Sequence, residues 1–463
     1  MKIISIIYAF LWGDLFAISL PGGNSLGISL MILLLIPAGI FFTVKTKFLS
    51  IRLFPEMVRI SIEKQNKKGS DSISGLQTLM VATATRVGMG NLVGVVAALS
   101  AGGAGAVFWM WITALIGAST AFIEATLAQL HKQPDPLYGG FRGGPAYYIH
   151  NFFVKDGSNR KSIVAVLFAL SGLLCWCGIS QVISNSVTSA FDNAFNIPPI
   201  VSTVILVVLA AVIVLRKNTT VKVIDIMVPF MAAFYFAITI FVIVKNFALL
   251  PDVFVRIFEE AFGLRQVAAG GFGAALMNGV KRGLFSNEAG SGSAPCAAAA
   301  ADVDHPAKAG LLQAFGVFID TIVLCSCTAM IMLLVPAEVV NGLGGMDLLQ
   351  TAMHYHFGNA GVIFIAITLW LFSFSTFIGV LFYARSNVSY LFGDNWASQT
   401  GYKILALVML FIGGLATYTF VWDLGDIGIG LMTVFNIFVL YPMSKEALSS
   451  LDDYINSQKS GNR

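Results

Sequence analysis

The stretch "GLFSNEAGSGSAP", Gly283–Pro295, packs Asn287, Glu288, three serines and three glycines into thirteen residues. It lies between two apolar stretches of a chain that is 57 % hydrophobic, with a mean hydropathy of +0.81. Charged residues make up 11 % of the 463 residues, well below the ~25 % usual in soluble domains. Apolar runs recur along the chain, each of the roughly 20 residues that span a hydrocarbon core. The chain therefore reads as an all-α polytopic membrane protein folded as one bundle. A polar, Gly-rich segment inside such a bundle needs a reason, because irregular backbone at membrane depth is tolerated only against protein or a water-filled cavity.

Hydropathy predicts about 11 spans, at roughly 25–45, 75–98, 105–130, 164–190, 199–215, 223–247, 266–301, 309–335, 360–390, 402–420 and 425–442. The seventh holds the opening stretch and is too long for one simple helix. Lys and Arg concentrate in cytoplasmic loops, and here they alternate. The loop after the first span carries Lys45, Lys47, Arg52, Arg59, Lys64, Lys67 and Lys68, and the next carries none. Lys132, Arg142, Lys155, Arg160 and Lys161 follow, then Arg216, Lys217 and Lys222, then Lys308, then Arg385 and Lys403, then Lys445, Lys459 and Arg463. This places the N-terminus outside and the C-terminus in the cytoplasm. Segment 248–265, with Arg256 and Arg265, departs from the pattern and reads as a long external amphipathic helix. Lys281 and Arg282, inside the seventh span, receive no assignment. The N-terminal "MKIISIIYAFLWGDLFAISLPGG" imitates a signal peptide, but Leu11-Trp12-Gly13-Asp14 interrupts it. It reads as an interfacial or partly inserted segment.

The net charge of +4 gives no sign of nucleic-acid binding, since the basic residues follow the membrane rule. No Walker A loop or Rossmann fingerprint interrupts the chain, so any driving force would come from a gradient. The cysteines (Cys175, Cys177, Cys296, Cys325, Cys327) sit in apolar surroundings and read as small hydrophobic side chains. No His or acidic ligand accompanies the two Cys-x-Cys pairs at zinc-site spacing.

The second span, "GLQTLMVATATRVGMGNLVGVVAAL" (Gly75–Leu99), has Gly88-Met89-Gly90-Asn91 at its centre. Close helix packing is one reading of these glycines. The other is a discontinuous helix whose freed backbone faces a site, and Arg86 and Asn91 favour it, because polar groups at this depth are expensive. In the seventh span, Ser286–Gly292 suits an unwound linker and Pro295–Ala301 a second half-helix. A break at Gly270–Gly273 competes but lacks polar side chains, and a plain cytoplasmic loop is the simplest alternative. Interrupted segments five spans apart point to an inverted-repeat transporter with its site at the repeat interface. Half-helix N-termini offer N–H groups to a carboxylate, and freed carbonyls hold Na⁺ or an ammonium group.

"ATRVGMGNLVGV", "GGFRGGPAYYI" (Gly139–Ile149), "RGLFSNEAGSGSAP" and "VFIDT" (Val317–Thr321) together resemble the alanine or glycine:cation symporter family, as do "TKFLSIRLF" and "FSFSTFIG" (Phe372–Gly379). The resemblance covers nearly the whole chain. It implies a LeuT-type fold of two inverted five-helix repeats behind one extra N-terminal span. The expected organisation is 1–70 for the N-terminal segment, extra helix and loop, 71–247 for the first repeat, 248–445 for the external segment and second repeat, and 446–463 for a cytoplasmic tail. It also implies Na⁺-coupled uptake of a small neutral amino acid such as alanine or glycine across a cell membrane, with Na⁺ as the transported ion and no cofactor. The bilayer is the implied setting, a bacterial inner membrane, and no protein partner is evident.

By the same resemblance, the N–H groups of Met89 and Gly90 would meet the substrate carboxylate. The substrate pocket is expected from Gly88, Met89, Gly90, Asn91, Gln181, Phe285, Ser286, Gly290 and Val380. Sodium would be held by the carbonyls of Ala84, Val87 and Phe372 and the hydroxyls of Ser375 and Thr376. Na⁺ is a hard cation that takes oxygen ligands, and the spacing of 372, 375 and 376 puts them on one helix face. A back-bond to a carbonyl one turn earlier is the plain alternative for such hydroxyls.

Glu124 matches a buried Glu that braces the broken seventh span, with a helix-end carboxylate as the alternative. Asp320 would balance Arg86, ligate a second Na⁺ or act as a structural acceptor. Gln181 and Asn185 would reach the substrate or simply link helices. Two departures bear on specificity and gating. Val380 stands where the family usually has Trp, which suggests room for a longer side chain such as that of glutamine. Arg385 stands where the family tends to carry Glu. A channel and an enzyme using Glu288, His131 or His150 are the rival classes, but the two Gly-rich segments differ from each other and no nucleophile–base spacing stands out. The expected ion site holds only carbonyls and hydroxyls, which favours Na⁺ over a proton; Asp320 is the group through which a proton would travel.

Overall fold

The structure is a computed structural model that describes residues 2–19, 25–62, 73–74, 88–154, 160–216, 222–264 and 271–461. It is mostly helical. The main helices are α1 Lys2–Trp12, α2 Leu30–Lys45, α3 Phe54–Ile62, α4 Val95–Gly102, α5 Gly105–Leu130, α6 Pro145–Phe153, α7 Ile163–Phe195, α8 Pro199–Val214 and α9 Lys222–Lys245. They continue with α10 Leu250–Ala261, α11 Gly271–Asn287, α12 Pro295–Ala298, α13 Pro306–Val317, α14 Ser326–Leu333, α15 Gly345–Phe357, α16 Asn359–Phe392, α17 Trp396–Leu415 and α18 Tyr418–Gly461. Two π-helical stretches, Gly90–Gly94 and Phe318–Cys325, lead into α4 and join α13 to α14.

Among the described residues, six helices are long and apolar enough to cross a membrane: α5, α7, the α13–α14 rod Pro306–Leu333, α16, α17 and α18. The α9–α10 pair passes the same test but bends by 78°. Shorter apolar helices occupy Leu30–Lys45, Gly90–Gly102 and Pro199–Val214. The bend turns α10 across the end of the bundle, where Val253, Ile257 and Ala261 are buried, as expected of an amphipathic segment lying on a packed surface. Turn chemistry sets the long helices apart. Ser162 caps α7 by accepting from the Ala165 N–H, Asn196 closes it in the left-handed region (φ 51°), and α8 then starts on Pro199.

Helices α7 and α18 pack so closely that a Cβ on Gly178 would lie 2.2 Å from the Gly425 nitrogen. Small residues are what permit such an approach between membrane helices.

Several expectations change. The expected span at 425–442 and residues 446–461 of the expected tail lie on one helix, α18, which runs to Gly461 through Pro442. The N-terminal segment is a helix followed by a hairpin, Phe16–Ser19 against Ser25–Ile28. His354 and His356 lie on α15.

Candidate functional site

The first interruption stays helical where it is described. The Gly88 N–H donates to Asn91 Oδ1 at 3.0 Å, and the Met89 N–H donates to Thr376 Oγ1 at 3.2 Å. The chain then runs through the π-helical stretch Gly90–Gly94, an irregularity frequent at functional sites. Asn91 Nδ2 donates to Asp320 Oδ1 at 2.7 Å and lies 3.2 Å from Ser286 Oγ and 3.3 Å from Cys325 Sγ. Asp320 Oδ2 accepts from Ser286 Oγ at 2.9 Å and from Thr321 Oγ1 at 2.7 Å. The two π-helical stretches thus meet across one buried amide–carboxylate contact, with α11 completing it. Gly90 allows the approach: a Cβ there would come 3.2 Å from Ser286 Cα. The predicted ligands Ala84 and Val87, and Arg86, lie outside the described residues.

The second interruption is a true break. Helix α11 continues through Ser286 and Asn287, so these end the first half-helix and do not form the linker. The linker is residues 288–294, with positive φ at Glu288 (58°), Gly290 (95°) and Gly292 (83°). The second half-helix is the single turn Pro295–Ala298 and does not reach Ala301. Ala301 and Asp302 pair instead with Ile73 and Ser74. Gly271, in the competing break, opens α11. Glu124 on α5 accepts the Gly290 N–H at 2.9 Å through Oε2. Asn436 on α18 donates to the Gly290 carbonyl at 3.0 Å and to Glu124 Oε1, and Tyr148 on α6 donates its hydroxyl to Asn436 Oδ1. Asn287 Oδ1 accepts the Ala289 N–H at 3.0 Å, while its Nδ2 is buried without a hydrogen-bond partner among the described residues.

On α16, Phe372, Ser375, Thr376 and Val380 are all buried. Ser375 Oγ donates to the Phe372 carbonyl at 2.8 Å, the back-bond weighed above, and Thr376 faces the Met89 N–H. The contacts of Gln181 and Asn185 lead elsewhere. Gln181 Nε2 lies 3.2 Å from Met409 Sδ, and Asn185 donates to the carbonyls of Gly413 (3.2 Å) and Ala416 (2.8 Å). These contacts lie along the α7–α17 seam. Phe285 packs tilted against Trp422, with centroids 4.9 Å apart, and lies beside Gly94.

Sequence reasoning missed the partner of Lys281 and Arg282. Asp426 on α18 takes both: Arg282 in a fork of two 3.0 Å bonds and Lys281 at 2.6 Å. Arg282 also stacks 3.8 Å over Trp422. Lys281 reaches the Tyr8 hydroxyl on α1, and the Trp12 indole N–H donates to the Asp426 carbonyl at 2.9 Å. Two adjacent cations in an apolar span were themselves the signal, since such charges require a buried partner. Asn436 and Tyr148 were missed as well, although Tyr148 lies in the quoted GGPAYY motif.

The loop after α5 docks on the end of α16. Arg142 pairs with Asp394 in a fork, and Arg385 lies 3.8 Å over Phe382 and 4.0 Å from Asp135. The Arg142 guanidinium holds the Asp394 carboxyl below its ordinary range. Among the described residues, no group of three His, Cys, Asp or Glu side chains could hold a metal ion, and the five cysteines are free and buried.

Relatives agree with this architecture. The chain is 40 % identical over 433 residues to the probable sodium/glutamine symporter GlnT of Bacillus subtilis (strain 168), covering 93 % of this chain and 89 % of that protein. It is 32 % identical over 455 residues to the sodium/alanine symporter AgcS of Methanococcus maripaludis, covering 97 % and 96 %. A crystal structure of an Eremococcus coleocola manganese transporter variant superposes with a TM-score of 0.55 at 13 % identity, over 84 % of this chain and 81 % of that one. That likeness concerns the fold alone. These relatives are carriers, and the polar interruptions lie inside a bundle of apolar helices, so the protein is a multi-pass membrane transporter and not an enzyme. Residues 20–463 match the sodium:alanine symporter family, and the chain belongs to it.

Proposed function

We propose that this protein is a secondary symporter that couples inward Na⁺ movement to uptake of a small neutral amino acid by alternating access. The observation that carries the reading is the 3.2 Å bond from the Met89 N–H to Thr376 Oγ1. It joins the interruption expected to bind the substrate carboxylate to the hydroxyl pair expected to bind sodium. Ions and substrate that share one interrupted helix are coupled because each orders groups that the other uses. Na⁺ entering down 100 mV contributes about 2.3 kcal/mol per charge. The substrate edge is Gly88–Asn91 with Phe285, Ser286 and Gly290, and Asn287 Nδ2, buried without a partner among the described residues, suits a polar ligand next to Ser286. Sodium is held by Phe372, Ser375 and Thr376, together with the carbonyls of Ala84 and Val87. Asp320, bonded to Asn91 and Ser286, is the second-ion or structural acceptor. The frame for this cycle is a LeuT-type pair of inverted five-helix repeats behind one extra helix, with about 11 spans in all. The N-terminus is outside, the C-terminus is cytoplasmic, and the setting is the inner membrane of a bacterium.

A larger substrate such as glutamine is the second reading. Val380, where the family usually has Trp, and the similarity to GlnT favour it. One experiment tests both: uptake of labelled alanine, glycine and glutamine into proteoliposomes under an inward Na⁺ gradient, then with K⁺ replacing Na⁺. Na⁺-dependent uptake that is lost in Ser375→Ala/Thr376→Ala supports the coupling site. Uptake driven by a pH gradient and indifferent to Na⁺ rejects it.

A further inference from the structure

We infer that Asn436 and Tyr148 are positioning residues that set the geometry of the second interruption, and through it the affinity for substrate. The inference rests on the transport reading above. A break in a helix strands backbone donors and acceptors, and buried ones must find partners. At Gly290 both groups are taken by side chains. Glu124 Oε2 accepts the N–H, and Asn436 Nδ2 donates to the carbonyl. The same Nδ2 donates to Glu124 Oε1, so the two side chains and the backbone of Gly290 close a ring. Asn436, wholly buried, has its donor and its acceptor both engaged.

The orientation of the Asn436 amide is forced. A Gly290 carbonyl and the Glu124 carboxylate, both acceptors, lie on one side, so the NH₂ must face them. The amide oxygen then faces Tyr148, whose hydroxyl must donate. The result is a directional chain from α6 to the break: Tyr148, Asn436, then Glu124 and Gly290. Tyr148 belongs to the helix that opens on Gly144-Pro145. A change in the position of α6 therefore reaches Gly290 through two hydrogen bonds and no intervening backbone.

The test uses full-length protein in proteoliposomes, with five variants. Asn436→Ala leaves Glu124 and the Gly290 carbonyl without this donor. It is expected to raise the uptake KM by about ten-fold or more, the factor typical of one lost buried hydrogen bond. Tyr148→Phe deletes one hydroxyl and should raise KM about three-fold. Asn436→Asp keeps the shape but turns a carboxylate on Glu124 and should be worse than Ala, and Glu124→Gln in the same chain should recover part of the loss. Leu440→Ala, buried one turn further along α18, lowers thermal stability but leaves KM in place. Amide hydrogen exchange of the 288–294 segment, followed without substrate, gives a readout that needs no transport. Faster exchange there in Asn436→Ala and Tyr148→Phe, with exchange in α18 unchanged, is the expected result. Unchanged KM and unchanged exchange in both would overturn the inference. If the wild type takes up none of the amino acids, the transport reading fails, and the exchange data alone decide whether the ring holds the break. Should Asn436→Ala not fold, Tyr148→Phe carries the decision.

Discussion

At the first interruption the backbone stays helical by widening to π-helical pairing over Gly90–Gly94, whereas at the second it leaves the helix and turns through Glu288, Gly290 and Gly292. The consequences differ. In the first, the backbone keeps most of its own hydrogen bonds, so the Asn91 side chain is free to reach Asp320 and Ser286 on two other segments. In the second, the backbone hands its groups at Gly290 to Glu124 and Asn436 on two other helices. The first interruption therefore both offers Asn91 to its surroundings and takes Thr376 at the Met89 N–H, whereas Gly290 of the second depends wholly on side chains supplied to it. Within a bilayer both are permitted where freed backbone groups find partners inside the protein, as the Met89 N–H and the Gly290 N–H and carbonyl do.

The comparison can be attacked first at the arm leading into the second break. Asp426→Asn leaves Lys281 and Arg282 buried, 5 % and 6 % exposed, with their shared carboxylate gone. Breaking such a buried pair should cost about 3–5 kcal/mol, read as a large fall in the unfolding temperature in detergent. A near-neutral result would mean that the Tyr8 hydroxyl on α1 and the Trp422 ring suffice for these charges.

The next test contrasts glycines. Gly290 has φ +95°, and an added Cβ would meet Ile437 and Leu35 side chains at 3.2 Å. Gly290→Ala should therefore cost about 2–4 kcal/mol, from strain and overpacking together. Gly94 has an ordinary helical φ, and an added Cβ would meet only Phe285 at 3.7 Å. Gly94→Ala should cost less than about 1 kcal/mol. Equal effects on stability at the two sites would erase the distinction between a π-helical stretch and an open turn.

The third test removes the side chain on which the first interruption relies. Asn91→Ala deprives Asp320 Oδ1 of a donor at 2.7 Å and should cost about 1–3 kcal/mol. Na⁺-dependent uptake should fall more steeply than stability, because Asp320 and Ser286 lose their common link to the substrate edge.

The smallest effect lies away from both interruptions and serves as a reference. Arg142 holds the Asp394 carboxyl below its ordinary range, chiefly by hydrogen bonding. A depressed folded-state value means that the pair stabilises the protein above the usual carboxylate range of about 4. That contribution is lost as the pH falls through the depressed value. Since Asp394 is largely exposed, the effect should stay below about 1 kcal/mol. Asp394→Asn should flatten this part of the stability profile between about pH 5 and 2, and a profile identical to wild type would show that the pair contributes nothing.

Much of the frame could be read from the chain. The apolar runs at 105–130, 164–190 and 360–390 correspond to α5, α7 and α16, because in lipid a long apolar run with few charges has no other way to satisfy its backbone. Gly88–Asn91 and Ser286–Gly292 marked the two irregular segments, because glycine and Asn at that depth are costly without a purpose. The boundaries were less legible. Ser286 and Asn287 look like loop residues by type, yet they extend α11, since their side chains find Asp320 and the Ala289 N–H without leaving the helix.

What the sequence determined by itself was the class of molecule, a helical membrane bundle, and where its regular structure would fail. The tertiary structure decided who answers each failure. Asn91 meets Asp320 across 229 positions, Gly290 meets Glu124 across 166, and Arg282 meets Asp426 across 144. Hydropathy cannot pair them, because a hydrogen bond near 3 Å depends on how each helix is rotated and how closely it is approached. Those quantities are fixed by packing of small residues such as Gly90 and Gly178 against their neighbours, and that packing exists only once the helices have come together.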